Sequence, residues 1–281
     1  MNASPELIEQ RTPNFSYIMN KSVRYNRDNV PFSNYFLVGD TTDPCLSMSI
    51  QTEESGNVFG KKFTETAHLM NIKNLRDCLY DEVPDEIYET ASFARELLDS
   101  VIEYTRINYP YVKRFKLSDK SYIPCGDNDT NDLLTYSIAL YGKTWYEMKD
   151  NAYIEPPGLF SIYRTEVTKY CSKETKSKMT WDVFMNKYIL LGLPFVIEKI
   201  GNNYAHYERM FNASDTFPDF FVKLNKEVEK KDKCIFFKFW LEQFIASQIR
   251  IHREWFINLH QSRQIGGKRK TMKNRRVPIA K

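Results

Sequence analysis

Residues Asp85 to Ile154 read as one continuous pattern of helix, strand, loop and helix, and no other stretch constrains the fold as tightly. Pro84 sets a helix start, and Asp85 and Glu86 put negative charge where the helix dipole favours it. Ile87, Ala91, Ala94, Leu98, Val101 and Thr105 recur on one face, flanked by Leu97 and Ile102. Glu89, Arg95, Glu96, Asp99 and Glu103 fall largely elsewhere. Pro110 stops this helix, and Val112 to Leu117 follows as a strand. Ser118 to Asn128, with Pro124 and Gly126, is a loop. Thr130 can cap a second helix, with Leu133, Leu134, Ile138 and Tyr141 as its apolar positions and Gly142 at its end. Then comes the string Thr144-Trp145-Tyr146-Glu147.

The flanking regions differ in character. Residues 1–34 are polar and rich in Asn, Ser and Arg, and read as an irregular N-terminal arm. Tyr35 to Val38 is strand-like and closed by Gly39-Asp40. Leu46 to Ile50 alternates apolar and polar with period two, as a half-buried strand does. Ser55-Gly56-Asn57 is a turn, and Val58-Phe59 can open the return strand of a hairpin. Ala67 to Ile72 is a short apolar segment whose type the pattern leaves open. Beyond Pro156-Pro157-Gly158 the reading is helical. Trp181 to Ile189 forms one helix and Cys234 to Leu259 a long aromatic one, with Phe237, Trp240, Leu241, Phe244, Ile245, Gln248, Ile249 and Phe256 near one side. The expectation is an α/β domain with a mixed sheet over 35–156, a mostly α-helical domain over 157–260, and a disordered basic tail over 261–281.

Charge is distributed unevenly. Arg263, Lys268, Arg269, Lys270, Lys273, Arg275, Arg276 and Lys281 crowd the last 21 residues, and no acid accompanies them. The whole chain has 40 Lys/Arg against 36 Asp/Glu, so the first 260 residues hold 32 against 36, a net charge of −4. An electrostatic partner therefore meets the tail and not the body. Such a segment, beside Gly266-Gly267 and poor in apolar residues, cannot bury enough surface to fold alone. It suits a phosphate backbone, an acidic protein surface or a nuclear-import receptor.

The five cysteines, Cys45, Cys78, Cys125, Cys171 and Cys234, are odd in number and widely spaced without a C-x-x-C. Reduced buried thiols are the expectation. The N-terminus has no apolar core of a secretory signal, and the longest apolar stretch, Ile189 to Ile197, contains Pro194 and is too short to span a bilayer. An intracellular, reducing setting in cytoplasm or nucleus is expected.

A long helix feeding a strand, then a second helix and a Tyr-Glu pair, resembles the second half of a GNAT-superfamily acetyltransferase. The resemblance covers about 70 residues: Glu96-Leu97-Leu98 through Ile107, Val112 to Leu117, and Trp145-Tyr146-Glu147. It implies a sheet that splays where acetyl-CoA enters, and it gives Tyr146 the role of general acid to the leaving thiolate. The chain departs from that family at the first helix. There the family holds the pyrophosphate on glycine-rich backbone, whereas this chain has Ile87-Tyr88-Glu89-Thr90-Ala91-Ser92. Without glycine the backbone cannot approach the phosphates closely, and Asp85, Glu86 and Glu89 oppose the charge of the ligand. The expected cofactor is therefore none, with acetyl-CoA as the alternative.

Phe115 to Ser121, Leu140 to Glu147 and the basic Gly266-Gly267-Lys268-Arg269-Lys270 are similar to segments of uncharacterised proteins of giant DNA viruses. That likeness implies a viral, virion-associated setting and carries no activity with it.

Other chemistry-bearing patterns are sparse. His68, His206, His252 and His260 are scattered, and H-E-x-x-H is absent. Tyr141-Gly142-Lys143-Thr144 follows a helix and lacks the leading glycine of a nucleotide loop. Asp127, Asp129 and Asp132 lack the spacing and terminal Glu of a calcium loop. Cys125 needs a nearby His to act as a nucleophile. The expected function is a non-catalytic viral binding protein on a degenerate GNAT-like domain, its tail contacting nucleic acid or an acidic partner. The alternative is an acyl-CoA-dependent N-acyltransferase with an atypical cofactor loop.

Overall fold

The computed structural model describes residues 5–39, 42, 44–52, 64–72, 92–118, 122–124, 130–188, 203–228 and 244–259. The architecture is α/β: one mixed seven-stranded sheet with helices packed on it and beyond it.

Five strands form an antiparallel meander: β1 (Glu6–Arg11), β2 (Ser16–Tyr25), β3 (Pro31–Gly39), β4 (Pro44–Gln51) and β5 (Thr66–Ile72). Helix α1 (Ser92–Asn108) then carries the chain across the sheet, as a parallel connection requires. Strand β6 (Arg114–Ser118) lies parallel to β5, with Ala67 opposite Phe115 and Leu69 opposite Leu117. The seventh strand, β9 (Glu254–Asn258), is the last element described and pairs antiparallel with β6, Phe115 facing Ile257. Its outer side carries a bridge in which Tyr153 and Phe256 exchange two backbone hydrogen bonds, at 3.0 and 2.8 Å.

One face of the sheet carries the core. Met19, Phe36, Val38, Leu46, Met48, Ile50, Ala67, Leu69, Phe115 and Leu117 are buried there. Helix α1 seals this face with Phe93, Leu97, Leu98, Val101 and Ile102. The docking is fixed by contacts to three strands. Tyr17 Oη donates to Ser100 Oγ at 2.9 Å, the Tyr104 ring meets Phe36 edge-on at 5.8 Å, and Thr105 Oγ1 lies 4.0 Å from Met48 Sδ. Thr105 is fully buried and returns its hydroxyl to the Val101 carbonyl, so its polarity is satisfied inside the helix. The start of α1 at Asp85 falls outside the described residues.

A short hairpin follows, β7 (Tyr122–Pro124) with β8 (Thr130–Asp132), and then α2 (Leu133–Tyr141) and α3 (Trp145–Asp150). The cap of α2 is Asp132, which accepts from the Thr135 N–H; Thr130 lies in β8 instead. Gly142 ends α2 at φ 61°, and a Cβ there would lie 2.4 Å from Cys171 Sγ, so both backbone and space call for glycine.

The remaining described elements are α4 (Pro157–Tyr170), α5 (Lys173–Ser177), α6 (Trp181–Tyr188), α7 (Tyr204–Asn212), α8 (Phe217–Glu227) and α9 (Ala246–Gln248). They close around Trp181, Phe184, Phe211, Phe217, Phe220, Phe221 and Phe244, all essentially buried. This aromatic core joins the sheet where Tyr163 meets Trp255 edge-on at 5.3 Å.

Three sequence expectations change. The segment 1–34 is not an irregular arm: from Glu6 onward it supplies β1, β2 and the start of β3. In β1 and the second half of β2 little is buried, and only Tyr17 and Met19 mark a core-facing side, so the apolar alternation is too brief to betray them. Cys234 to Leu259 is not one helix. Its described part turns once as α9 and ends as β9, and the sheet therefore draws on both sides of the boundary at Pro156. Cys45 is not a free thiol but is disulfide-bonded, its partner lying outside the described residues; Cys171 is free. The tail, residues 261–281, and the turn at Ser55 also lie outside them. No helix among the described residues is long and apolar enough to cross a membrane.

Candidate functional site

The string around Tyr146 is the start of α3. Thr144 caps it: its side chain accepts from the Glu147 N–H at 3.1 Å, while Glu147 Oε2 accepts from the Thr144 N–H at 2.9 Å. This reciprocal capping box was legible as Thr-x-x-Glu behind Gly142. Glu147 is buried and does more than cap. Oε2 also accepts from Tyr163 Oη at 2.7 Å, and Oε1 accepts from Arg164 at 3.1 Å. Burial and the adjacent carboxylate push the Tyr163 phenol well above its ordinary range. Tyr146 itself is 3% exposed and stacks edge-on with Trp145 at 5.1 Å. The two residues thus hold the helix to the core.

Replacing Glu147 with Ala leaves a buried phenol and a helix N–H without their acceptor. We expect a loss of about 2–4 kcal/mol, against about 1 kcal/mol for Thr144→Ala, whose substitution removes one capping bond. Urea midpoints of the two variants check the order.

A second cluster gathers at the carboxyl end of the parallel pair, the place where open α/β sheets bind ligands. The β5–β6 ladder runs only from Thr66 opposite Arg114 to Leu69 opposite Leu117, while β5 goes on to Ile72. On the face away from α1, His68 sits beside Lys116, and Lys116 Nζ reaches Glu254 Oε1 at 2.6 Å. Just beyond, Arg253 pairs with Asp132 at 3.0 Å. The residues next to this pair each leave a buried polar atom without a hydrogen-bond partner among the described residues: Asn131 Oδ1 and His252 Nε2. At the other end of β6, Arg114 is tied to Glu155 and Thr66 and lies over the Phe256 ring.

Burial holds the His68 imidazole below its ordinary range, Lys116 pushes it further the same way, and Glu254 opposes them. The folded protein thus resists a proton that the unfolded chain accepts near pH 6.5. Stability from this group is complete above that pH and declines as pH falls toward the lowered folded value. Between pH 7.5 and 5.5, His68→Gln should lose less stability than the parent, the difference not exceeding about 1.4 kcal/mol per pH unit. Urea melts at the two pH values measure it.

Of the residues singled out from sequence, Tyr146 is thus placed in the core, apart from solvent, while the eight basic residues, Cys125 and His260 lie outside the described residues. Among the described residues no group of three or more His, Cys, Asp or Glu is placed to hold a metal ion. Sequence reading did not bring His68, Lys116, Glu254, Arg253 and Asp132 together. His68, Lys116 and Glu254 come from three strands, Arg253 from the residue before β9 and Asp132 from the end of β8; the signal for the first three was the β5–β6–β9 pairing itself.

Sheet and cluster together define an α/β protein with a polar site at a parallel-strand end. No protein-family model, curated protein or solved structure matches the chain.

Proposed function

We propose that this chain is a non-catalytic binding protein whose basic terminal segment contacts nucleic acid, the folded α/β body serving as the platform. The observation that carries this reading is the separation of charge: eight Lys/Arg and no acid over 261–281, against a net −4 over the first 260 residues. The burial of Tyr146 and the structural use of Glu147 support it, because both side chains named by the acyltransferase resemblance serve packing and capping. The setting we propose is a giant DNA virus, with the chain packaged in the virion; the likeness of its Leu140 to Glu147 segment to proteins of such viruses supports this. Fluorescence anisotropy with duplex DNA, on the full chain and on residues 1–260, tests the binding.

A second reading rests on a different observation. An antiparallel meander joined through α1 to a parallel strand, with Asn131 Oδ1 and His252 Nε2 unpartnered among the described residues near its end, supports a GNAT-like acyl-CoA-dependent acyltransferase. In that reading His68, kept neutral near pH 7, takes the proton of an acceptor amine. The segment that would hold the pyrophosphate, Asp85 to Ala91, lies outside the described residues. Calorimetric titration with acetyl-CoA separates the readings: micromolar affinity favours the second.

A further inference from the structure

We propose that Lys176 is a nucleophilic amine at the base of a cleft, placed to form an imine with a small aldehyde. The cleft has a volume of about 410 Å³ and lies between α5, the start of α6 and the end of α7. Lys176 lines it, yet the residue is only 5% exposed. Its Nζ rests 3.5 Å above the centre of the Phe211 ring, which is itself fully buried in the aromatic core. Lys173 and Lys178, a few residues to either side, are well exposed and paired with Asp215 and Glu174. Among the described residues no such carboxylate pairs with Lys176.

Charged groups face the cleft from each element around it: Lys173, Asp182, Glu208 and Asp215. Asp215 is held by Lys173, and Asp182 accepts from the Tyr204 hydroxyl at 2.7 Å. The π face of Phe211 favours the ammonium form. Burial opposes it and lowers the Lys176 pKa to about 8. At pH 7.5 roughly a quarter of such amines are neutral, against about one in a thousand for an ordinary lysine. The neutral amine is the nucleophile. It attacks the carbonyl carbon to give a carbinolamine, which loses water to leave an imine; no oxidant or reductant is consumed.

The test is competitive reductive alkylation of the intact protein with formaldehyde and cyanoborohydride. The imine carbon takes hydride, which fixes the adduct for mass spectrometry. At pH 7.5 Lys176 should be labelled about tenfold faster than Lys173 or Lys178, and its rate should rise with a midpoint near pH 8. Labelling in order of exposure, with Lys176 slowest, overturns the proposal, as does a midpoint for Lys176 near that of its neighbours. Lys176→Arg should abolish the fast lysine adduct without changing the other sites, and a fast adduct persisting at Lys173 or Lys178 in that variant would also refute it.

Discussion

Removal of residues 261–281 is expected to abolish binding to duplex DNA while leaving the fold in place. The eight positive charges of that segment are the excess positive charge of the chain, and the remaining body is net negative. Binding of this kind is driven by release of counterions from the phosphates, each contact adding about −0.9 to the slope of log affinity against log salt. With eight charges, not all engaged at once, the slope should lie at roughly −4 to −6. Between 50 and 200 mM salt, affinity should then fall about a thousandfold and depend little on sequence. Anisotropy titrations across that range read the slope directly. Equal binding by both forms, or none by the full chain at low salt, would refute the nucleic-acid reading and leave the tail as an import signal or a solvated end.

The second large effect is expected in the aromatic core. Phe184 is fully buried and lies within 5.1–5.8 Å of the rings of Trp181, Phe211, Phe220 and Phe244. Truncation to Ala removes a ring that these neighbours cannot replace by collapsing, since each is pinned by the others. A loss of about 3–5 kcal/mol follows, a large share of the total stability of an ordinary domain. Phe184→Leu keeps most of the volume and should cost clearly less. Because Tyr163 on α4 packs on Trp255 of the sheet, both parts should melt together. Urea unfolding followed by tryptophan fluorescence and by far-UV circular dichroism should give one midpoint. Separate midpoints, or a loss below about 1 kcal/mol in the alanine variant, would contradict this account of the core.

What could be read from sequence follows from where burial imposes a period. Leu46 to Ile50 alternates because β4 has one face against α1, and Arg114 to Leu117 does so for the same reason; both segments were anticipated within strands. The helix ending at Gly142 was legible from its glycine. By contrast, β1 and the second half of β2 carry Glu9, Lys21, Ser22 and Arg24 with little to bury, and the one buried pair, Tyr17 and Met19, is too short a period to separate strand from loop. Trp255-Phe256-Ile257 failed in the opposite way. All three are buried, and an apolar run covered on both faces fits helix and strand equally. The site was less legible than the fold. His68 and Glu254 meet only because β6 lies between β5 and β9, a fact of pairing over long sequence separation. Thr144-x-x-Glu147 was readable as a cap, but the resemblance drew notice to the tyrosine between its ends.

The late arrival of β9 has a consequence for synthesis. Strand β6 is paired on one side by β5 but waits for its other neighbour until roughly 140 further residues have been added. At ordinary translation rates that interval is on the order of ten seconds. Throughout it, the nascent sheet presents an open edge to every other chain nearby. Two of the five residues on that edge are Arg114 and Lys116, cations of the kind that discourage a foreign strand from docking. The lysine that later meets Glu254 thus first serves as a guard on an unfinished sheet, and neutralising both cations should show itself as aggregation during expression more than as instability of the finished protein.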